Sequence, residues 1–138
     1  MKKEESAMAV VFWQNKILVT IEEVYGVDRV SLPKGHIEEN ETVIACAMRE
    51  CFEETNCCLS KEDVIGELEP FQIHFVNHKD EEIEKTIYPV VFKIDQVQVL
   101  KIKEPRIKKI EWMDITPFMT NVSYENVKQV VEKAKEVI

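Results

Sequence analysis

The chain has no apolar run long enough to cross a bilayer, and its N-terminus shows no signal-peptide pattern. Both absences predict a cytoplasmic protein with no membrane partner. There is no internal repeat, no low-complexity segment and no linker-like stretch. The 138 residues are therefore read as one domain, 1–138, long enough to bury a real core. The four cysteines, Cys46, Cys51, Cys57 and Cys58, have no C-x-x-C spacing and are expected to be reduced, mostly structural thiols. Positive charge is also scarce: 18 Lys and Arg stand against 26 Asp and Glu, a net charge of −8. That balance excludes a broad electrostatic footprint for nucleic acid. It still permits a polyanionic small molecule if metal ions bridge the two. The remaining composition, 45% hydrophobic and 32% charged, is that of a globular protein.

Against this background one stretch stands out, GHIEENETVIACAMRECFEETNC, from Gly35 to Cys57. A helix turns about 100° per residue, so Glu50, Glu53 and Glu54 share one face. Like charges at these spacings repel by a few tenths of a kcal/mol, roughly, per pair. The crowding benefits a fold only if a cation fills the gap, and hard oxygen donors suit Mg²⁺ above all, with Mn²⁺ as a substitute. Arg49 lies beside this face, four residues before Glu53, where its guanidinium can orient a carboxylate. The same count puts Ala45, Met48 and Phe52 on the opposite side. The expectation is an apolar back against the core. Small Val43, Cys46 and Ala47 lie near the acids and leave room for a bulky anionic ligand. Asn40 or Thr42 caps the start. Asn56 closes the end in the left-handed conformation.

The order Gly35, Glu41, Arg49-Glu50, Glu53-Glu54, Asn56 and Cys57 resembles the box of the Nudix hydrolase family, G-x5-E-x7-R-E-U-x-E-E-x-G-U with U apolar. The one departure is Asn56 in place of glycine. The resemblance implies an α/β fold, an α/β/α sandwich with a mixed central sheet. It also implies a Mg²⁺-dependent hydrolase that cleaves the pyrophosphate linkage of a nucleoside diphosphate joined to another moiety. Dinucleoside polyphosphates, nucleoside triphosphates, nucleotide sugars and RNA 5′ ends are all open as substrates. By the same resemblance Glu50 and Glu54 are metal ligands, Glu53 is a ligand or the base, and the Gly35 carbonyl is a further ligand. Arg49 orients the acids, and Glu41 is a structural or outer-shell member. Lys34 either meets a phosphate oxygen or is solvated. A homodimer is compatible with this reading. A non-catalytic nucleotide sensor on the same scaffold is the competing one.

Elsewhere, Ala7–Gln14 and Lys16–Glu22 read as a β-hairpin turning near Asn15, with one of Phe12 and Trp13 in the core. Tyr25 to Val30 reads as a loop. Phe71 to Val76 and Ile83 to Ile94 read as a hairpin in which Pro89 predicts an edge position or a bulge. The basic run Lys101 to Lys109 reads as a solvated loop, with a phosphate contact as the other option. Ile107 to Met113 is a strand, Ile115 to Met119 a short helix capped by Thr116, and Ser123 caps a final amphipathic helix to Ile138.

Overall fold

The computed structural model describes residues 1–138. Eight strands form a mixed sheet: β1 Lys2–Trp13, β2 Lys16–Val24, β3 Val27–Ser31, β4 Lys34–His36, β5 Val64–Glu67, β6 Phe71–Val76, β7 Glu82–Ile94 and β8 Ile107–Asp114. The helices are α1 Val43–Thr55, α2 Ile115–Asn121 and α3 Glu125–Val137, with a 3-10 turn at Lys61–Asp63. No helix is long and apolar enough to cross a membrane.

Side chains of a strand alternate between faces, and β1 uses both faces of the sheet. Met8, Val10 and Phe12 join Ile17, Val19, Leu32, Phe118 and the buried stripe of α3, Val127, Val130, Val131 and Ala134. Ala7, Ala9 and Val11 join Leu18, Val90, Phe92 and the buried side of α1, Cys46, Ala47 and Cys51. The result is an α/β/α sandwich with α1 on one face and α2 and α3 on the other.

The strand order creates the cleft. β1 pairs in parallel with β7 along its full length, but antiparallel with β2 only at Phe12–Ile17 and Trp13–Lys16. Beyond that point the two strands diverge. β2 runs between β8 and β3, while β1 takes β4 as its neighbour through Ser6, Ala7 and Met8. The sheet therefore splits, and the segment from Ser31 to His36 crosses the split.

Several expectations are corrected. Of the segment from Tyr25 to Val30 only Tyr25 and Gly26, both at positive φ, form a tight turn, and β3 begins at Val27. β7 is an interior strand. Pro89 is tolerated there because β7 changes neighbour at that point: β6 pairs only as far as Ile87, and β5 ends opposite Val90. The Pro89 carbonyl accepts from Leu68 N–H at 3.0 Å. A strand residue's N–H and C=O point to the same side, so the missing donor falls in the gap between the two partner strands. α2 starts after Asp114 rather than at Thr116, and α3 after Tyr124 rather than Ser123. The Ser123 hydroxyl instead accepts from Val30 N–H at 2.7 Å, tying the α3 entry to β3.

Candidate active site

α1 begins where Thr42 Oγ1 accepts from Ala45 N–H at 3.1 Å. It ends where Asn56 adopts φ 68°, and its N–H reaches the Phe52 carbonyl. The Asn56 side chain also donates to the Val99 carbonyl at 3.2 Å. Asparagine thus supplies the left-handed residue that glycine usually supplies.

The buried face of α1 differs from the one expected. Cys46, Ala47 and Cys51 lie against the sheet, and Glu54 and Thr55 are buried with them. Ala45 and Met48 are only half covered, and Phe52 is 41% exposed. Lys103 covers the Phe52 ring, its amine 3.7 Å from the centroid. The physical reason is the fit between surfaces. Ala7 and Ala9 on β1 admit a helix face of small residues at close range. The space before Cys46 and Ala47 is therefore filled by sheet, not by a ligand.

This rotation drives the carboxylates into the split of the sheet. A cleft of about 560 Å³ is lined there by Glu50, Glu53, Glu54, Gly35 and Lys34, together with Glu22, Arg29 and Arg106. A Cβ at Gly35 would land on the Glu50 carboxyl group, so a larger residue there would displace that carboxylate from its place in the cleft. Arg49 is the hub of one side. It donates to Glu41 at 2.7 and 2.9 Å, to Glu50 at 2.8 Å, to Glu53 at 3.2 Å and to the His36 carbonyl at 2.9 Å. These bonds raise its own pKa above the ordinary arginine range and hold Glu41 down at about 2. Burial pushes Glu50 up, against the pull of Arg49.

Glu54 is the other pole. It is 2% exposed, and burial pushes its pKa up to about 7 although Arg106 pulls it down. Arg106 donates to Glu54 at 2.8 Å and also pairs with Glu22. Burial is also the main reason that the Lys34 pKa is lowered, with Lys85 adding to the effect.

Glu50, Glu53, Glu54, Gly35, Arg49 and Lys34 thus meet at one cleft. The carboxylates are neutralised internally by Arg49 and Arg106, and no group of three acids is already gathered as a metal cage. The donor set nonetheless suits a hard divalent cation: carboxylate oxygens beside the main chain at Gly35, where the absence of a Cβ leaves room for the Glu50 carboxyl group. Arg106, Glu22 and Arg29 were not singled out in the sequence. Arg106 belongs to the basic run read as a solvated loop; the run is mostly exposed, but this arginine, its side chain 49% exposed, reaches Glu54 in the cleft. The reversal of charge in an acidic chain was the available signal. His74, exposed on β6, bonds Glu84 at 3.2 Å and does not line this cleft.

A mixed sheet between helices, split over an acid-lined cleft, defines the class of fold to which phosphoanhydride hydrolases of the Nudix type belong. The family model of the NUDIX domain matches residues 2–133. The chain belongs to the Nudix hydrolase family. No curated protein matches it significantly in sequence. Among solved structures it is similar to the NUDIX domain of Shewanella oneidensis NrtR complexed with ADP ribose. That likeness has a TM-score of 0.74 and 16% identity, and covers 99% of this chain and 88% of that one. It is also similar to a C. elegans Ap4A hydrolase, with a TM-score of 0.68, 15% identity and 96% of both chains covered. A third similar structure is the E. coli dihydroneopterin triphosphate pyrophosphohydrolase, at 0.67 and 15%, covering 96% of this chain and 97% of that one. At these identities the likeness is one of fold.

Proposed function

We propose that residues 1–138 act as one domain that hydrolyses the pyrophosphate linkage of a nucleoside diphosphate joined to another moiety, with Mg²⁺ or Mn²⁺. The observation that carries this is Glu54, a carboxylate buried to 2% exposure at the back of a polar cleft beside Glu50 and Glu53. A buried acid is costly unless a cation compensates it; Arg106 meets part of that need at 2.8 Å, and a divalent ion beside Glu50 and Glu53 would meet the rest. Glu50, Glu54 and the Gly35 carbonyl would hold the ion, with Glu53 as a further ligand or as the base. A bound divalent ion supplies Lewis-acid charge on the phosphoryl oxygens and makes a water easier to deprotonate. Glu53 is the most open of the three acids, its side chain 43% exposed. That openness supports Glu53 as the acid that would take a proton from the attacking water as the new P–O bond forms and the bridging P–O bond breaks. Arg49 keeps Glu50 and Glu53 oriented while Glu41 anchors Arg49. Lys34 faces the phosphates from the opposite wall.

The test is a panel of nucleotide pyrophosphates with Mg²⁺, reading released phosphate or mononucleotide. Glu53→Gln is expected to lower the metal-dependent rate by two or more orders of magnitude with an unchanged circular dichroism spectrum. A variant near wild-type activity removes Glu53 from the mechanism. A second reading, ligand binding without hydrolysis, is favoured by one observation: Arg49 and Arg106 already neutralise the acids. Binding of a nucleotide without turnover across the panel would decide for it.

A further inference from the structure

The wall facing the acids holds Lys34 together with two side chains, Ser6 and Lys85, to which the hydrolytic centre above assigns no role. Ser6 stands opposite His36 of β4 on one side and Ile87 of β7 on the other. Lys34 stands opposite Met8, and Lys85 opposite Glu4. Paired residues, and those two positions along, share one face of a sheet. Lys34 and Lys85 therefore flank Ser6 diagonally, at the distance of about 7–8 Å over which long side chains meet. The Ser6 hydroxyl is buried, 1% exposed, and has no hydrogen-bond partner. Lys34 takes part in none of the cleft's ion pairs. Lys85 has only Glu4, at the long distance of 3.9 Å, and the Phe75 ring at 5.7 Å. All three residues line the cleft that holds Glu50, Glu53 and Glu54.

Two lysines on either side of an orphaned buried hydroxyl, one with no ion pair and one with only the long contact to Glu4, make an excess of positive charge on this wall. A neutral sugar in this place would offer hydroxyl acceptors but no charge to balance the two amines, whereas a phosphoryl group offers charge and several acceptor oxygens at once. We infer that Lys34, Ser6 and Lys85 seat a phosphoryl group additional to the diphosphate at the acidic rim. The substrate is then a nucleoside triphosphate or a dinucleoside polyphosphate rather than a nucleotide sugar. This inference rests on the pyrophosphohydrolase reading above, but its binding arm stands apart from it.

The first measurement is calorimetric binding of inorganic tripolyphosphate to the metal-free protein. Wild type is expected to bind, with Lys85→Gln and Ser6→Ala each weakening binding at least fivefold and Lys85→Arg restoring most of it. Equal affinity in wild type and both variants, or no binding by wild type, overturns the seat. The second is the ratio of kcat/KM for a nucleoside triphosphate or dinucleoside tetraphosphate to that for a nucleotide sugar, with Mg²⁺. Wild type is expected to favour the polyphosphate, and Lys85→Gln to lower the ratio tenfold or more. An unchanged ratio, or a wild-type preference for the sugar, overturns the assignment. If no compound is hydrolysed, the catalytic proposal fails and the tripolyphosphate titration alone judges the seat.

Discussion

Glu54 shows how a single side chain can work against the fold that carries it. Its pKa in the folded state, about 7, lies above the ordinary carboxylate value. The native protein therefore takes up a proton between about pH 7 and 4.5 that the unfolded chain does not, and stability rises as pH falls through that window. Glu54→Gln removes the buried charge. Without divalent metal it is expected to raise stability at pH 7.5 by about 1–3 kcal/mol, with the advantage shrinking toward pH 4.5. Melting in chelator at pH 7.5 and 5 checks this; a less stable variant at pH 7.5 would show that Arg106 outweighs burial. Glu41 has the opposite sign. Arg49 holds its pKa at about 2, so its contribution is full above about pH 4.5 and fades as pH falls toward 2. Glu41→Gln should flatten acid unfolding across that window, read by circular dichroism. The box acids and Arg49 were legible because i, i+3 and i, i+4 spacing fixes their common side. Arg106 was not, because only tertiary folding brings it next to a residue 52 positions earlier.

At the level of the element, α1 shows what periodicity can and cannot tell. Its extent, its Thr42 and Asn56 ends and the clustering of its acids all followed from residue type and spacing. Its orientation did not. Phe52 and Met48 are the larger apolar side chains and suggested the packed side, yet Cys46, Ala47 and Cys51 meet the sheet. Side-chain size on one helix cannot reveal that the opposing strand presents Ala7 and Ala9, which favour small partners. Pro89 misled for a related reason: its position depends on where two other strands begin and end. The helix terminus gives a direct test. Asn56→Ala places an ordinary side chain at φ 68° and loses the bond to Val99, and should cost about 1–2 kcal/mol in urea unfolding. Asn56→Gly keeps the conformation and should stay within about 1 kcal/mol of wild type.

For the molecule as a unit, both apolar cores are built on β1 and its alternation, so β1, β2, β6, β7, β8 and the amphipathic α3 were readable, while the short strands β3, β4 and β5 and the split between β1 and β2 that forms the cleft were not. The thiols report on this packing. Cys46, Cys51 and Cys57 are buried, and burial pushes Cys46 up to about 12, whereas Cys58 is exposed. Iodoacetamide at neutral pH should therefore label one thiol in the native protein and four in urea, as counted by mass spectrometry. Ultraviolet emission would see a different part of the molecule. Trp13 and Trp112, the only two indoles, touch edge to face at 5.8 Å, and neither lines the cleft. Intrinsic fluorescence is thus a gauge of a single corner, where the first hairpin meets β8. It should respond strongly to unfolding and scarcely at all to a nucleotide entering the cleft, so ligand titrations call for an added dye or for calorimetry.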